Sequence, residues 1–148
     1  KELTVTKSLF EGANFVTIDA IEHDKKIAVI LGLTHLMNLV FANIISKDEK
    51  MNLTDKMSGT TYRVQKTLAE SIMTESPELI ETIIANPEIR RVAEDLWKDI
   101  GRLLTSVQES KTEEVVNYIK ECQERLAKHT NVEESYKKLT KMVKFVEK

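Results

Sequence analysis

IAVILGLTHLMNLVFANII, residues 27–45, runs nineteen residues without a charge, between Lys25-Lys26 on one side and Lys47 on the other. About 20 apolar residues are enough to cross a bilayer. Thr34, His35, Asn38 and Asn43 interrupt the stretch, however, and the rest of the chain mixes charged and apolar residues throughout. A central helix buried on nearly all sides gives the same pattern. The buried helix is the reading adopted here, with no membrane partner expected.

Working outward, 148 residues with 41% hydrophobic content suffice for one core and one domain. Only four glycines and two prolines occur, about a third of the usual share. A β-sandwich or doubly wound sheet needs more turns than that, so the class is all-α. Twenty-two basic residues against 24 acidic ones leave a net charge of −2. That balance excludes a binder of phosphate backbones, so no nucleic-acid partner is expected. The single cysteine, Cys122, rules out a disulfide framework and a cysteine zinc site. It reads as a structural thiol in a helix and points to the cytosol. No signal sequence opens the chain. The first residue is Lys1, so a fragment or a processed product is expected.

The helix boundaries are marked by caps. Residues 3–12 read as a short helix ending near Gly12, followed by an extended piece from Phe15 to Ile18. Asp19 with Glu22 has the spacing of a capping box, opening a long helix to about Ser46. After a polar break at 47–52 and a short turn at 53–57, Ser58-Gly59-Thr60 leads into a helix over 59–74. Ser76-Pro77 and Asn86-Pro87 each place a cap before a proline, predicting helices at 77–85 and 87–108. The second carries an apolar stripe at Ile89, Val92, Leu96, Ile100, Leu103, Leu104 and Val107. Ser110 or Thr112 is expected to cap a helix over 113–128, with Val115, Val116, Ile119, Cys122 and Leu126 on one face. Asn131 is expected to cap a last helix, 132–147, with Leu139, Met142, Val143 and Val146 inward. The expectation is six to seven helices around a long buried central helix.

Two places carry polar groups that packing alone does not require. Thr34, His35 and Asn38 share one face of the long helix, and Gly32 lies one turn before His35. That grouping lines a ligand pocket, or else His35 bonds a backbone carbonyl while Gly32 admits another helix. The second place is Ser58-Gly59-Thr60-Thr61-Tyr62-Arg63. A helix N-terminus offers unpaired N–H groups and partial positive charge, Ser58, Thr60 and Thr61 add hydroxyl donors, and Arg63 adds a fork matched to a carboxylate. A solvated surface arginine is the alternative. His23 and His35 are twelve residues apart on one helix, about 120° around it and ~18 Å along it, so they do not share a metal ion. His129 sits at a helix end, where its charge suits the dipole. No metal site, nucleotide fingerprint or nucleophilic triad is read from the chain.

His23-Asp24 followed by Leu33-Thr34-His35 resembles the opening of the helical domain of prephenate dehydrogenases. Thr61-Tyr62-Arg63 with Leu68-Ala69-Glu70 is similar to that family's arginine-bearing helix. The run from Ser76-Pro77 to Asn86-Pro87-Glu88 is similar to its two-step connection. The three motifs stand in order at matching intervals over about residues 15–125. The implied fold resembles the 6-phosphogluconate dehydrogenase C-terminal-like helical domain.

The resemblance implies an oxidoreductase that joins an N-terminal Rossmann domain, binding NAD or NADP, to a helical domain that binds substrate and forms a homodimer. Residues 1–18 then correspond to the tail of the nucleotide-binding domain and 19–148 to the helical domain. The implied substrate is prephenate or arogenate, oxidised with loss of CO₂ in tyrosine biosynthesis. By motif, His35 matches a histidine at the substrate pocket and Arg63 the arginine that binds a carboxylate, with Thr60 and Thr61 beside it. No catalytic or cofactor-binding residue is assigned to this chain, because the family's catalytic histidine belongs to the other domain. The chain alone is expected to be inactive. His23 and Asp24 match the family's pair in a helix-start role. The rival reading is a non-enzymatic helical interaction module that shares only the fold.

Overall fold

The computed structural model describes the backbone of residues 2–10 and 12–146, and side-chain environments for 5–10 and 12–143. The elements are α1 (Glu2–Leu9), α2 (Ala20–Ile27), a π-helical segment (Ala28–Leu33), α3 (Thr34–Ile45), α4 (Met51–Met57), α5 (Thr60–Ile72), α6 (Pro77–Ile84), α7 (Ile89–Gln108), α8 (Thr112–Ala127) and α9 (Val132–Val146). No strand occurs among the described residues, so the all-α class is borne out. Residues 13–19 carry no regular structure.

Most of the expected caps form. The Asp19 side chain accepts the Glu22 N–H at 2.9 Å, Ser76 accepts that of Leu79 at 3.2 Å, and Asn131 accepts that of Glu134 at 3.1 Å. Asn86 accepts the Glu88 N–H at 2.9 Å, so α7 begins two residues later than its proline suggests. Neither Ser110 nor Thr112 caps α8: Ser110 turns left-handed at φ 55°, and the helix starts with no side-chain cap.

Two features correct the expected count and shape. The segment read as a short turn is a two-turn helix, α4. Asp48 holds its start, accepting the Lys50 N–H at 2.8 Å and the Thr54 hydroxyl, and these bonds keep its carboxyl below the usual carboxylate range. Counting 20–45 as one rod, the described residues form eight helices rather than six or seven. Within that rod, residues 28–33 widen into a π segment, a form common at special sites in helices.

The π segment faces α7. Ala28 and Gly32 are buried there against Ile89 and Val92, with Leu33 and Leu36 packed alongside. A Cβ on Gly32 would overlap the Ile89 side chain, so glycine admits the helix here. On its other side the rod packs on α5 and α6.

The long helix is not buried on nearly all sides within one chain. Ile30 is 60% and Ile44 62% exposed, and Val29, Met37 and Val40 also face outward. Ala20–Ile45 is thus a helix long and apolar enough to cross a membrane, with most of its length open in the single chain. The apolar pattern marks a surface that avoids water, but it does not say which chain supplies the cover. The same holds for α7 and α8. Ile89 and Val92 are buried, while Leu104, Val107, Ile119 and Leu126 stay exposed.

The last helix packs across α5. Val143 is buried and Leu139 half-buried, as expected, but Met142 is exposed. The side chain of Val146 lies outside the described residues.

Candidate functional site

His35 and Asn38 are the two buried polar residues of α3, at 6% and 4% exposure. Both fall on the side of α3 that meets its neighbours. Thr34 does not join them: it is exposed and returns its hydroxyl to the Ile30 carbonyl at 2.8 Å. The shared face expected for the three residues therefore holds for two.

His35 is held at both ring nitrogens. Nδ1 lies 2.8 Å from the Leu31 carbonyl oxygen, the backbone contact anticipated as its alternative role. Nε2 lies 3.3 Å from Oε2 of Glu75, in the connector after α5. Asn38 donates from Nδ2 to the Thr34 carbonyl and accepts at Oδ1 from Gln65 of α5, both at 2.8 Å. Nearby, the Phe41 and Tyr62 rings meet at 5.9 Å between centroids. A polar seam thus joins the two helices that carry the two candidate groups, and no buried side-chain nitrogen or oxygen among the described residues lacks a partner.

At the other end of α5, Gly59 occupies the N-cap and offers no side chain to the first-turn N–H groups. Thr60 and Thr61 are exposed there. Arg63, half-buried, donates from Nε to the Ser58 hydroxyl at 3.2 Å, and Ser58 donates in turn to the Asp55 carbonyl at 2.7 Å. One turn on, Lys66 donates to both carboxylate oxygens of Asp55 at 2.9 and 2.7 Å, with Glu70 at 3.6 Å. The hydrogen bond to Asp55 raises the Lys66 pKa above its ordinary value, against the opposing effect of burial. No acidic residue stands in the first turn of α5, so the positive end of its dipole adds to Arg63.

The structure therefore brings His35 together with Asn38, Gln65 and Glu75, and Arg63 together with Ser58, Thr60 and Thr61. The Asn38–Gln65 bond ties α3 to α5, the helix whose first turn carries the Arg63 group. Two open apolar clefts flank Leu39 and Met73. One, about 400 Å³, runs along Ala42, Ile45, Met51 and Ala69; the other, about 560 Å³, is walled by Pro77, Ile80 and Ile84, with Glu75 on its lining.

Sequence reasoning missed Gln65 and Glu75. Gln65 lies on the face of α5 that a helical wheel centred on Tyr62 and Ala69 would have pointed at α3. No local spacing could have paired Glu75 with a histidine forty residues earlier. His23 and Asp24 contact each other at 3.2 Å, both more than half exposed, and the Asp24 carbonyl accepts from Asn86 at 3.2 Å. Among the described residues, no group of three or more His, Cys, Asp or Glu side chains is arranged to hold a metal ion.

Comparison with known families gives one finding: residues 19–121 match the family described as prephenate dehydrogenase, dimerization domain. That range holds His35, Thr60, Thr61, Arg63 and Glu75, and leaves α9 outside. No curated protein and no solved structure matches the chain.

Proposed function

The chain belongs to the prephenate dehydrogenase family through its dimerization domain, and from that premise we propose that it is the substrate-binding and dimer-forming half of an NAD(P)-dependent prephenate dehydrogenase. The observation that carries this reading is the span of the family match, which takes in both His35 on α3 and Arg63 on α5. The substrate class is a cyclohexadienyl acid, prephenate or arogenate.

In this reading the N-terminal turn of α5 is the carboxylate seat. Its uncapped N–H groups, the Thr60 and Thr61 hydroxyls and the Arg63 guanidinium offer donors and positive charge in one place. His35 adds a ring held in a fixed plane on the adjoining helix. Hydride acceptance is the chemistry a nicotinamide would supply when bound to a nucleotide-binding domain, of which residues 1–18 would be the tail. This chain's task is then to fix the substrate's orientation, because loss of CO₂ and aromatisation of the ring supply the driving force. The reaction belongs to tyrosine biosynthesis, and its setting is the cytosol.

A second copy of the chain covers the open face of the long helix. Met37, Val40 and Ile44 recur there at three and four residues, and Ile30 continues the stripe. Light scattering at micromolar concentration then reads twice 17.0 kDa.

The experiment is NADH or NADPH formation by the full-length protein that carries this domain, with prephenate and with arogenate. Removing one partner of a desolvated charge pair typically costs ~2–5 kcal/mol in binding. Arg63→Ala is therefore expected to raise KM by about 1.5 to 3.5 orders of magnitude. A change under tenfold removes Arg63 from the carboxylate seat. No turnover with either substrate and either cofactor leaves the helical interaction module as the reading of this chain.

A further inference from the structure

We propose that Glu75 is the positioning residue for His35: it sets the rotation of the imidazole and so decides how that ring meets the substrate. The inference rests on the reading of His35 as a substrate contact and adds a residue to it.

The geometry is specific. One hydrogen bond, from Nδ1 to the Leu31 carbonyl, leaves a ring free to swing about that bond. A second tether at Nε2 removes the freedom: with both ring nitrogens carrying a proton, Nε2 donates to the Glu75 carboxylate, 3.3 Å away on a different part of the fold. The two partners are unlike. The Leu31 oxygen belongs to the same rod, within the π segment, and travels with His35. The Glu75 carboxylate comes from forty residues on and reports the position of the α5–α6 connector.

That connector is itself pinned. The Glu75 N–H bonds the Ile72 carbonyl at 3.1 Å at the end of α5, and the next residue, Ser76, caps α6. Glu75 is thus not a side chain on a loose loop that happens to find a histidine. Its backbone is fixed between two helix termini, and its carboxylate is aimed at a buried ring.

Exposure separates the two members of the pair. The His35 side chain is 7% accessible, whereas that of Glu75 is 33% accessible and lies on the lining of the 560 Å³ cleft. Glu75 therefore stands between the buried imidazole and open space. A group held this way orients a neighbour for a ligand arriving from outside, much as outer hydrogen bonds orient the groups that touch a substrate.

A structural pair and a positioning pair differ in how their losses combine. Residues that act as one unit give non-additive kinetics. The test compares wild type, Glu75→Ala, Glu75→Gln, His35→Asn and the His35→Asn/Glu75→Ala double variant in the full-length protein, by kcat and KM with prephenate. Glu75→Ala is expected to lower kcat/KM at least tenfold, and Glu75→Gln, which keeps an acceptor oxygen, to recover most of that loss. In the His35→Asn background, Glu75→Ala is expected to change kcat/KM less than twofold. Equal losses in both backgrounds overturn the proposal, as does a Glu75→Ala variant with wild-type kinetics. Should Glu75→Ala fail to fold, Glu75→Leu and His35→Asn/Glu75→Leu, which keep the volume and remove the acceptor, carry the same comparison. A wild type silent with prephenate and arogenate overturns the functional reading instead. In that case the His35 ring signals in the ¹H–¹⁵N spectrum of this chain decide the pair: signals unmoved by Glu75→Gln overturn it as well.

Discussion

The long apolar helix meets its neighbours in two chemically different ways within three turns. At Gly32 it meets α7 by shape: a side chain is missing on one helix, and Ile89 of the other fills the space. At Asn38 it meets α5 by hydrogen bonding, with an amide on each helix and no charge involved. The first contact is apolar and holds the rod to the core. The second is polar, pairs the buried Asn38 with the half-buried Gln65, and joins the helices that carry His35 and Arg63. An apolar contact tolerates small shifts as long as volume is conserved, whereas a hydrogen bond fixes register to a fraction of an ångström. A domain that must hold a substrate between two helices needs the second kind of contact at the site and the first kind away from it.

The shape contact is the one expected to yield the largest effect. Glycine within a helix normally costs about 0.5–1 kcal/mol relative to alanine, so Gly32→Ala would stabilise an unobstructed helix. Here the added Cβ collides with Ile89. Overpacking of this kind costs about 1–3 kcal/mol, and Gly32→Leu more. Denaturant melts of Gly32→Ala are therefore expected to show a loss, and the Ile89→Ala background to reverse its sign. A Gly32→Ala variant as stable as wild type in the Ile89 background breaks the first half of the comparison.

The polar contact ranks next. Asn38→Ala takes the acceptor from the half-buried Gln65 amide, which costs about 1 kcal/mol, the lower end of the range for an unsatisfied buried group. Replacing both residues with apolar ones removes the need for a partner. Asn38→Leu/Gln65→Leu is accordingly expected to be more stable than Asn38→Ala, yet to bind substrate less well, because the register of α3 on α5 is no longer fixed. A double variant that keeps both stability and KM would show that the seam does nothing that packing cannot do.

How far the sequence reveals each contact differs in the same way. Asp19, Ser76 and Asn131 announce their helices because a cap bonds within three residues of itself. Gly32 is legible as a gap, since a missing side chain on a bulky helix has few uses. The π widening over 28–33 is not, because the apolar pattern around it is the same with or without an extra residue in the turn. Nor is α4, whose start is held by Asp48 inside a stretch that reads as a polar break. Burial of Ile30, Met37 and Ile44 was expected from hydrophobicity, which records that a surface avoids water but not whose surface covers it. At the site, His35 and Arg63 stand out as polar groups in helical positions where packing needs none. Ser58, five residues from Arg63, is legible with it, whereas Glu75 does not stand out, because the fold alone brings it to His35.

The smallest expected effect extends the polar side of the comparison to α4 and asks whether charge adds anything to hydrogen bonding there. Lys66 follows Gln65 on α5 and turns to Asp55, with its side chain 17% accessible. Its pKa is raised above 10.5 chiefly by the Asp55 hydrogen bond. A basic group with a raised native pKa stabilises the fold at every pH below its unfolded value, and that contribution is lost as pH rises through the native value. The wild type is therefore expected to exceed Asp55→Asn in melting temperature by a constant few degrees from pH 7 to about 10, and the gap to close above that. Thermal melts followed by circular dichroism across pH 7–12 read this directly. A gap that stays constant to pH 12 would show that Asp55 serves as a neutral acceptor would, and that the seam between these helices holds by hydrogen-bond geometry throughout. A gap that closes adds an electrostatic component next to Arg63, where the carboxylate seat is proposed.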